Sequence, residues 1–98
     1  MLLFEWDKNK AKANIENHGV SFDEASTVFR DIMTLTVYDP LHSEIEERYI
    51  SIGSSILNRL LVVVHTERNK RIRIISARKA TLKEGRQYEE NAKRFRNS

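Results

Sequence analysis

The chain has 98 residues, 40% hydrophobic and 32% charged, with three glycines, one proline and no cysteine. That balance describes one domain, residues 1–98, with a single core, and excludes a disordered chain. Disulfides, zinc fingers and thiol catalysis are excluded by the missing cysteine, and the longest apolar run, Leu60 to Val64, is far too short to span a bilayer.

The net charge of +3 divides unevenly. Residues 68–98 hold eleven Lys/Arg against three Glu, whereas residues 1–67 hold six against eleven Asp/Glu. The C-terminal third is therefore the part suited to a phosphate-bearing partner. No basic n-region or long apolar stretch opens the chain, so a cytoplasmic protein is expected.

In chain order, Leu2-Leu3-Phe4 predicts a short strand. Asp7 is an N-cap for a helix to about His18, closed by Gly19, with Trp6 and Ala11 at the staple positions. Ala11, Ile15 and His18 form its expected inner seam. Ser21-Phe22-Asp23-Glu24 reads as a capping box opening a second helix over about 22–30, with Ala25, Val28, Phe29 and Ile32 at helical spacing. Asp39-Pro40 marks a turn. Strands are then predicted at Thr34–Tyr38, Arg48–Ile52, Leu60–Thr66 and around Arg71–Ile74, the last two joined by Arg68-Asn69-Lys70 as a hairpin. Thr81-Leu82-Lys83-Glu84 is another capping box. It opens a final helix bearing Leu82, Tyr88, Ala92 and Phe95, with residues 91–98 its end and a frayed tail. The sum is an α+β domain, β-α-α-β-β-β-β-α, with helices packed on one face of an antiparallel sheet.

The strongest chemical constellation lies on the last hairpin. Leu61, Val63, His65 and Glu67 share one strand face, and the partner strand brings Arg71, Arg73, Ser76, Arg78 and Lys79. A histidine, a carboxylate, guanidiniums and a hydroxyl are expected to converge there. RNA cleavage needs such a set: a base for the ribose 2′-OH, an acid for the leaving 5′-oxygen, and cations for the phosphate. A hydrogen-bonded His65–Glu67 pair at a sheet end explains the same residues without catalysis. His18 reads as a helix-end residue and His42 as a solvated loop residue. No metal-binding spacing is present. Trp6, Tyr38, Tyr49 and Tyr88 suit either base stacking or the core, and the basic last helix suits nucleic acid, an acidic partner or plain solvation.

These segments together resemble a known family. Phe4-Glu5-Trp6-Asp7, the run Asn17-His18-Gly19-Val20-Ser21-Phe22-Asp23-Glu24-Ala25, Val28-Phe29, Asp39-Pro40, Glu47-Arg48 and Ile52-Gly53 are similar to the BrnT family of bacterial toxins. So are Leu61–Glu67 and Arg71–Ala80, so that the resemblance covers about residues 4–90 in order. It implies a RelE-like fold and a metal-independent endoribonuclease without cofactor that inhibits translation. It also implies neutralisation by a BrnA-like, ribbon-helix-helix antitoxin, as a 2:2 complex that carries the DNA-binding part. Matching motif residues with suitable chemistry are His65 and Glu67 for proton transfer and Arg73 and Arg78 for the scissile phosphate. Trp6, Lys8, His18, Arg71, Ser76 and Lys79 are the implied RNA contacts. Lys8-Asn9-Lys10 departs from the family's Pro/Ala-rich helix start, and Ser55-Ile56-Leu57-Asn58 from its Gly-rich turn. The alternative is a non-catalytic binding module or inactive toxin that docks an antitoxin or nucleic acid.

Overall fold

The computed structural model describes residues 2–42 and 44–97; Met1, Ser43 and Ser98 lie outside that set. In chain order these residues form β1 (Phe4–Glu5), α1 (Lys8–His18) and α2 (Phe22–Ser26), which a 3-10 turn at Thr27–Arg30 continues. After β2 (Leu35–Asp39) and a 3-10 turn at Pro40–His42 come β3 (Arg48–Ser54), β4 (Leu60–Arg68), β5 (Arg71–Lys79) and α3 (Leu82–Asn97).

Local chemistry explains where the helices begin and end. The Asp7 carboxylate accepts the N–H groups of Asn9 and Lys10 at 2.8 and 3.0 Å, and Gly19 closes α1 at φ 67°, a left-handed cap that costs glycine nothing. Ser21 and Thr81 each accept the N–H of the residue three further on. Only the second box is reciprocal, with Glu84 accepting the Thr81 N–H at 2.9 Å. Glu24 instead turns away from its helix, to Ser55 and Arg59.

The strands lie in the order β1-β5-β4-β3-β2. β2 to β5 form an antiparallel meander, and Asn69 and Lys70, at φ 53° and 63°, make the left-handed two-residue turn that matches strand twist. The sheet is mixed rather than antiparallel, because β1 runs parallel to β5. No tight turn joins these two strands, so nothing imposes opposite directions. Between Val64 and His65 the β4–β5 register shifts by a bulge.

Helices cover both faces, not one. Val20, Phe22, Ala25 and Val28 pack on Leu61, Val63, Ile74 and Ala77 in the main core. α3 lies on the opposite side: a Cβ at Gly85 would stand 3.6 Å from Leu60, and Arg78, which pairs across from Val62, reaches Glu84. Tyr88 is half-buried and Ala92 buried, while Leu82 is left exposed and Phe95 is 56% exposed. Ile32 is also exposed, because α2 tightens into the 3-10 turn and loses the helical phase. In α1 the inward residue is Asn14, not Ile15 or His18, both of which are exposed.

Asn14 is inward because β1 is too short. Beyond Arg73 the outer edge of β5 has no strand beside it, and Asn14 takes that place. Its Nδ2 donates to the carbonyls of Ala77 and Val20, both at 2.8 Å, and its Oδ1 accepts the Ala77 N–H at 3.1 Å. Asn14→Ala strands three buried backbone groups, and should cost about 2–4 kcal/mol. Urea denaturation of the variant against the wild type measures it; a loss below about 1 kcal/mol contradicts this role.

Candidate functional site

The β4–β5 hairpin carries the chemistry, and its two faces divide it. Strand alternation with the bulge puts His65, Ile74, Ile72 and Glu67 on the α1/α2 side. Thr66, Arg73, Ser76 and Arg78 lie on the α3 side, paired across from one another or from Val64 and Val62. The expected convergence of His65, Glu67, Arg73, Ser76 and Arg78 on one surface is therefore not met. Arg73 and Ser76 are an odd number of residues apart, which alternation alone would send to opposite sides. The bulge restores them to the same one.

His65 is 6% exposed. The Phe29 ring stands edge-on to it at 4.8 Å and Tyr49 stacks on it at 5.9 Å. Nε2 shares a 2.8 Å hydrogen bond with Ser51 Oγ, which is 2.8 Å from Thr36 Oγ1. Nδ1 has no partner among the described residues. The tautomer that suits this site has the proton on Nε2, donated to Ser51, because a bare buried lone pair costs less than a bare buried N–H. A second proton would have to sit on Nδ1 with nothing to receive it, and burial pushes the pKa down to about 4. The imidazole is thus neutral and shielded in this fold, a packing and orienting group with neither nitrogen open to a substrate.

The arginines are held by carboxylates. Arg73 Nη1 donates to Glu5 Oε2 at 2.7 Å, and both side chains remain about one-quarter exposed. Arg78 forms a fork with both Glu84 oxygens at 2.7 Å, and this, outweighing the opposing effect of burial and aided by the Thr81 N–H, draws Glu84 down to about 2. Arg78 thereby anchors the start of α3. On the far side, Glu24 receives Arg59, whose guanidinium also reaches the Gly19 carbonyl, and accepts from Ser55 Oγ at 2.7 Å. The Arg59 hydrogen bond lowers the Glu24 pKa.

The remaining predicted contacts do not share one surface. Lys8 and His18 are exposed at opposite ends of α1, about 15 Å apart along the helix. Trp6 is half-buried, edge-on to Phe22 at 5.9 Å. Lys79 ends β5 on the α1/α2 side, and Ser76 is half-buried on the other. Glu67 and Arg71 are exposed at the hairpin tip, Glu67 directly across from Ile72 and Arg71 the residue before Ile72 on β5. Arg73 follows directly. At that tip Glu67 lies on the α1/α2 side and Arg71 and Arg73 on the α3 side, so they share the exposed end of the hairpin but not a face. Sequence reasoning missed Asn14, Ser51 and the Glu24–Arg59 pair. Glu24 carries a signal in its capping-box position, but Asn14 and Arg59 have none without the tertiary neighbour. Among the described residues no three His, Asp or Glu gather as metal ligands, and no helix is long and apolar enough to cross a membrane.

This five-stranded sheet with helices on both faces has a likeness among solved structures. The 1.1 Å crystal structure of the Brucella abortus ribonuclease toxin, BrnT, is similar with a TM-score of 0.60. The match covers 83% of this chain and 99% of that one at 20% identity, a likeness of fold. The sequence profile of the family described as "Ribonuclease toxin, BrnT, of type II toxin-antitoxin system" matches residues 6–84. The chain belongs to that family, and a toxin of this type implies an antitoxin partner. No curated protein sequence matches it.

The His65 site sets a pH dependence. Its folded pKa of about 4 lies below the ordinary 6.5, so between these values the unfolded chain binds the proton that the folded chain refuses. Stability contributed by His65 is complete above about pH 6.5 and is lost as pH falls toward 4. NMR titration of the His65 ring should give a midpoint near 4, with urea stability declining over the same window; a midpoint near 6.5 refutes the buried assignment.

Proposed function

We propose that the chain is an endoribonuclease that cleaves RNA without a metal ion and so inhibits translation, acting in the cytoplasm from a RelE-like fold. We propose further that a BrnA-like, ribbon-helix-helix antitoxin neutralises it in a 2:2 complex, the reading that its motif resemblance supports. The single observation behind the catalytic part is the hairpin tip, where an exposed carboxylate, Glu67, on one face and Arg71 and Arg73 on the other flank the same open end, so that an RNA strand laid across that end meets both.

At that edge the chemistry is concrete. The ribose 2′-oxygen attacks phosphorus as Glu67 accepts its proton, and the P–O5′ bond breaks with the 5′-oxygen taking a proton from solvent water, leaving a 2′,3′-cyclic phosphate and a 5′-hydroxyl. Arg73 exchanges its single Nη1–Oε2 contact with Glu5 for the scissile phosphate, whose two non-bridging oxygens allow a bidentate contact. A pair open to solvent on one side gives up its partner at small cost. Arg71 draws RNA to the tip, with Lys8 and Trp6 at the rim. His65 acts through the Tyr49 ring stacked on it, as a positioning residue, and Arg78 through Glu84 as an anchor of α3. Ser76, His18 and Lys79, which stand away from the tip, serve longer RNA contacts.

A second reading has its own observation. Arg73 and Arg78 are both occupied by carboxylates and His65 is enclosed, as suits a non-catalytic module that binds an antitoxin or nucleic acid. Incubating the full chain with RNA in EDTA separates the two. Cleavage is expected, falling about 100-fold or more in Glu67→Gln and Arg73→Ala with circular dichroism unchanged. Intact RNA with wild-type protein overturns the enzyme; cleavage that disappears in EDTA overturns metal independence.

A further inference from the structure

β2 is an outer strand of the sheet. Proteins usually blunt such an edge with a lysine, a proline, a bulge or a covering element. Leu35-Thr36-Val37-Tyr38-Asp39 contains neither lysine nor proline and pairs with β3 in unbroken register. Val37 and Tyr38 are nearly half exposed. The strand is a regular, open template for another strand.

Its two ends differ in charge. The Asp39 end continues into a loop carrying Glu44 and Glu47, with the exposed side chains of Leu41 and Ile45. Glu46 in that loop is already met by Arg48 and Arg68, at 3.9 and 3.7 Å. The Leu35 end lies beside the C-terminal part of α3, where Asn91 Nδ2 reaches the Met33 carbonyl at 3.4 Å. Lys93, Arg94 and Arg96 follow within the next two turns, after Glu89 and Glu90. Ile32 is exposed at this end.

We propose that this edge is a self-association surface, through which two copies pair antiparallel along β2 about a two-fold axis near Val37. Such pairing sets each copy's acidic end against the other's basic end, twice, and turns Ile32 toward the partner's apolar loop. Thr36 then stands opposite Tyr38, a favourable β-branched–aromatic pair, and no like charges face one another within the strand. A parallel arrangement sets acid on acid. The complementarity is between two ends of the same edge, and a second copy supplies both.

The test is the mass of the full chain, freed of antitoxin, by sedimentation equilibrium. The result stands apart from RNA cleavage. A monomer–dimer equilibrium is expected in roughly the micromolar range, weakened at about 0.5 M NaCl. Val37→Lys should raise the dissociation constant more than about tenfold, as should Arg94→Glu with Arg96→Glu. Adding Glu44→Arg and Glu47→Arg to that charge-reversed pair should restore the dimer. A single-chain mass up to about 200 µM, or a dimer indifferent to Val37→Lys, overturns the proposal. So does protection of the β2 amides from hydrogen exchange only when antitoxin is added, which assigns the edge to the antitoxin.

Discussion

The three hydrogen bonds of Asn14 hold the working strand in place. β5 carries Arg71, Arg73, Ser76 and Arg78, and β1 supports only its first residues before ending at Glu5. An unsupported edge next to the core would leave buried N–H and C=O groups without partners, a cost that few folds of this size tolerate. One amide side chain on α1 supplies both a donor and an acceptor to Ala77, and its second donor hydrogen ties the turn at Val20 to the same point. The helix, the turn and the outer edge of the sheet become one rigid unit, and the hairpin tip projects from it.

From that frame the polar groups divide into those that hold and those that face outward. Glu24 with Arg59, and Arg78 with Glu84, are partly enclosed pairs whose charges are satisfied inside the protein. Such pairs fix neighbouring segments to one another, the β3–β4 connection to α2 and the start of α3 to β5. Arg73 with Glu5 is similarly close, but stands beside an exposed tip, where an incoming phosphate competes for the guanidinium. His65 belongs to the holding class, since burial makes it neutral and Ser51 orients its ring. A ribonuclease toxin built this way exposes its charges at an edge and keeps its aromatic ring stack beneath them.

Much of the local structure is legible in the residues themselves. Asp7, Gly19 and the Thr81–Glu84 box act through backbone geometry within a few positions, so pattern reading finds them. The hairpin turn at Asn69-Lys70 and the apolar run of β4 are equally local. Inner faces are harder. The seam of α1 reads as apolar through Ile15, but the fold needs a hydrogen-bonding amide there because a distant strand ends early. The phase of α2 continues on paper to Ile32, and fails where the helix tightens.

The candidate site shows the same division more sharply. The sequence by itself determined which chemical groups this toxin owns: the basic C-terminal third, the arginine-rich strand, and His65 and Glu67 two residues apart. It also carried the family motifs over most of the chain. Only the tertiary structure decided which groups meet. The bulge between Val64 and His65 resets the alternation of β5, placing Ser76 beside Arg73 on the side opposite His65, and the packing of Phe29 and Tyr49 encloses the imidazole. Alternation is a property of one strand and can be read along it. Register between strands, and the cover laid over each face, depend on residues far away in the chain, and those set whether a histidine is a reactive base or a buried, neutral ring.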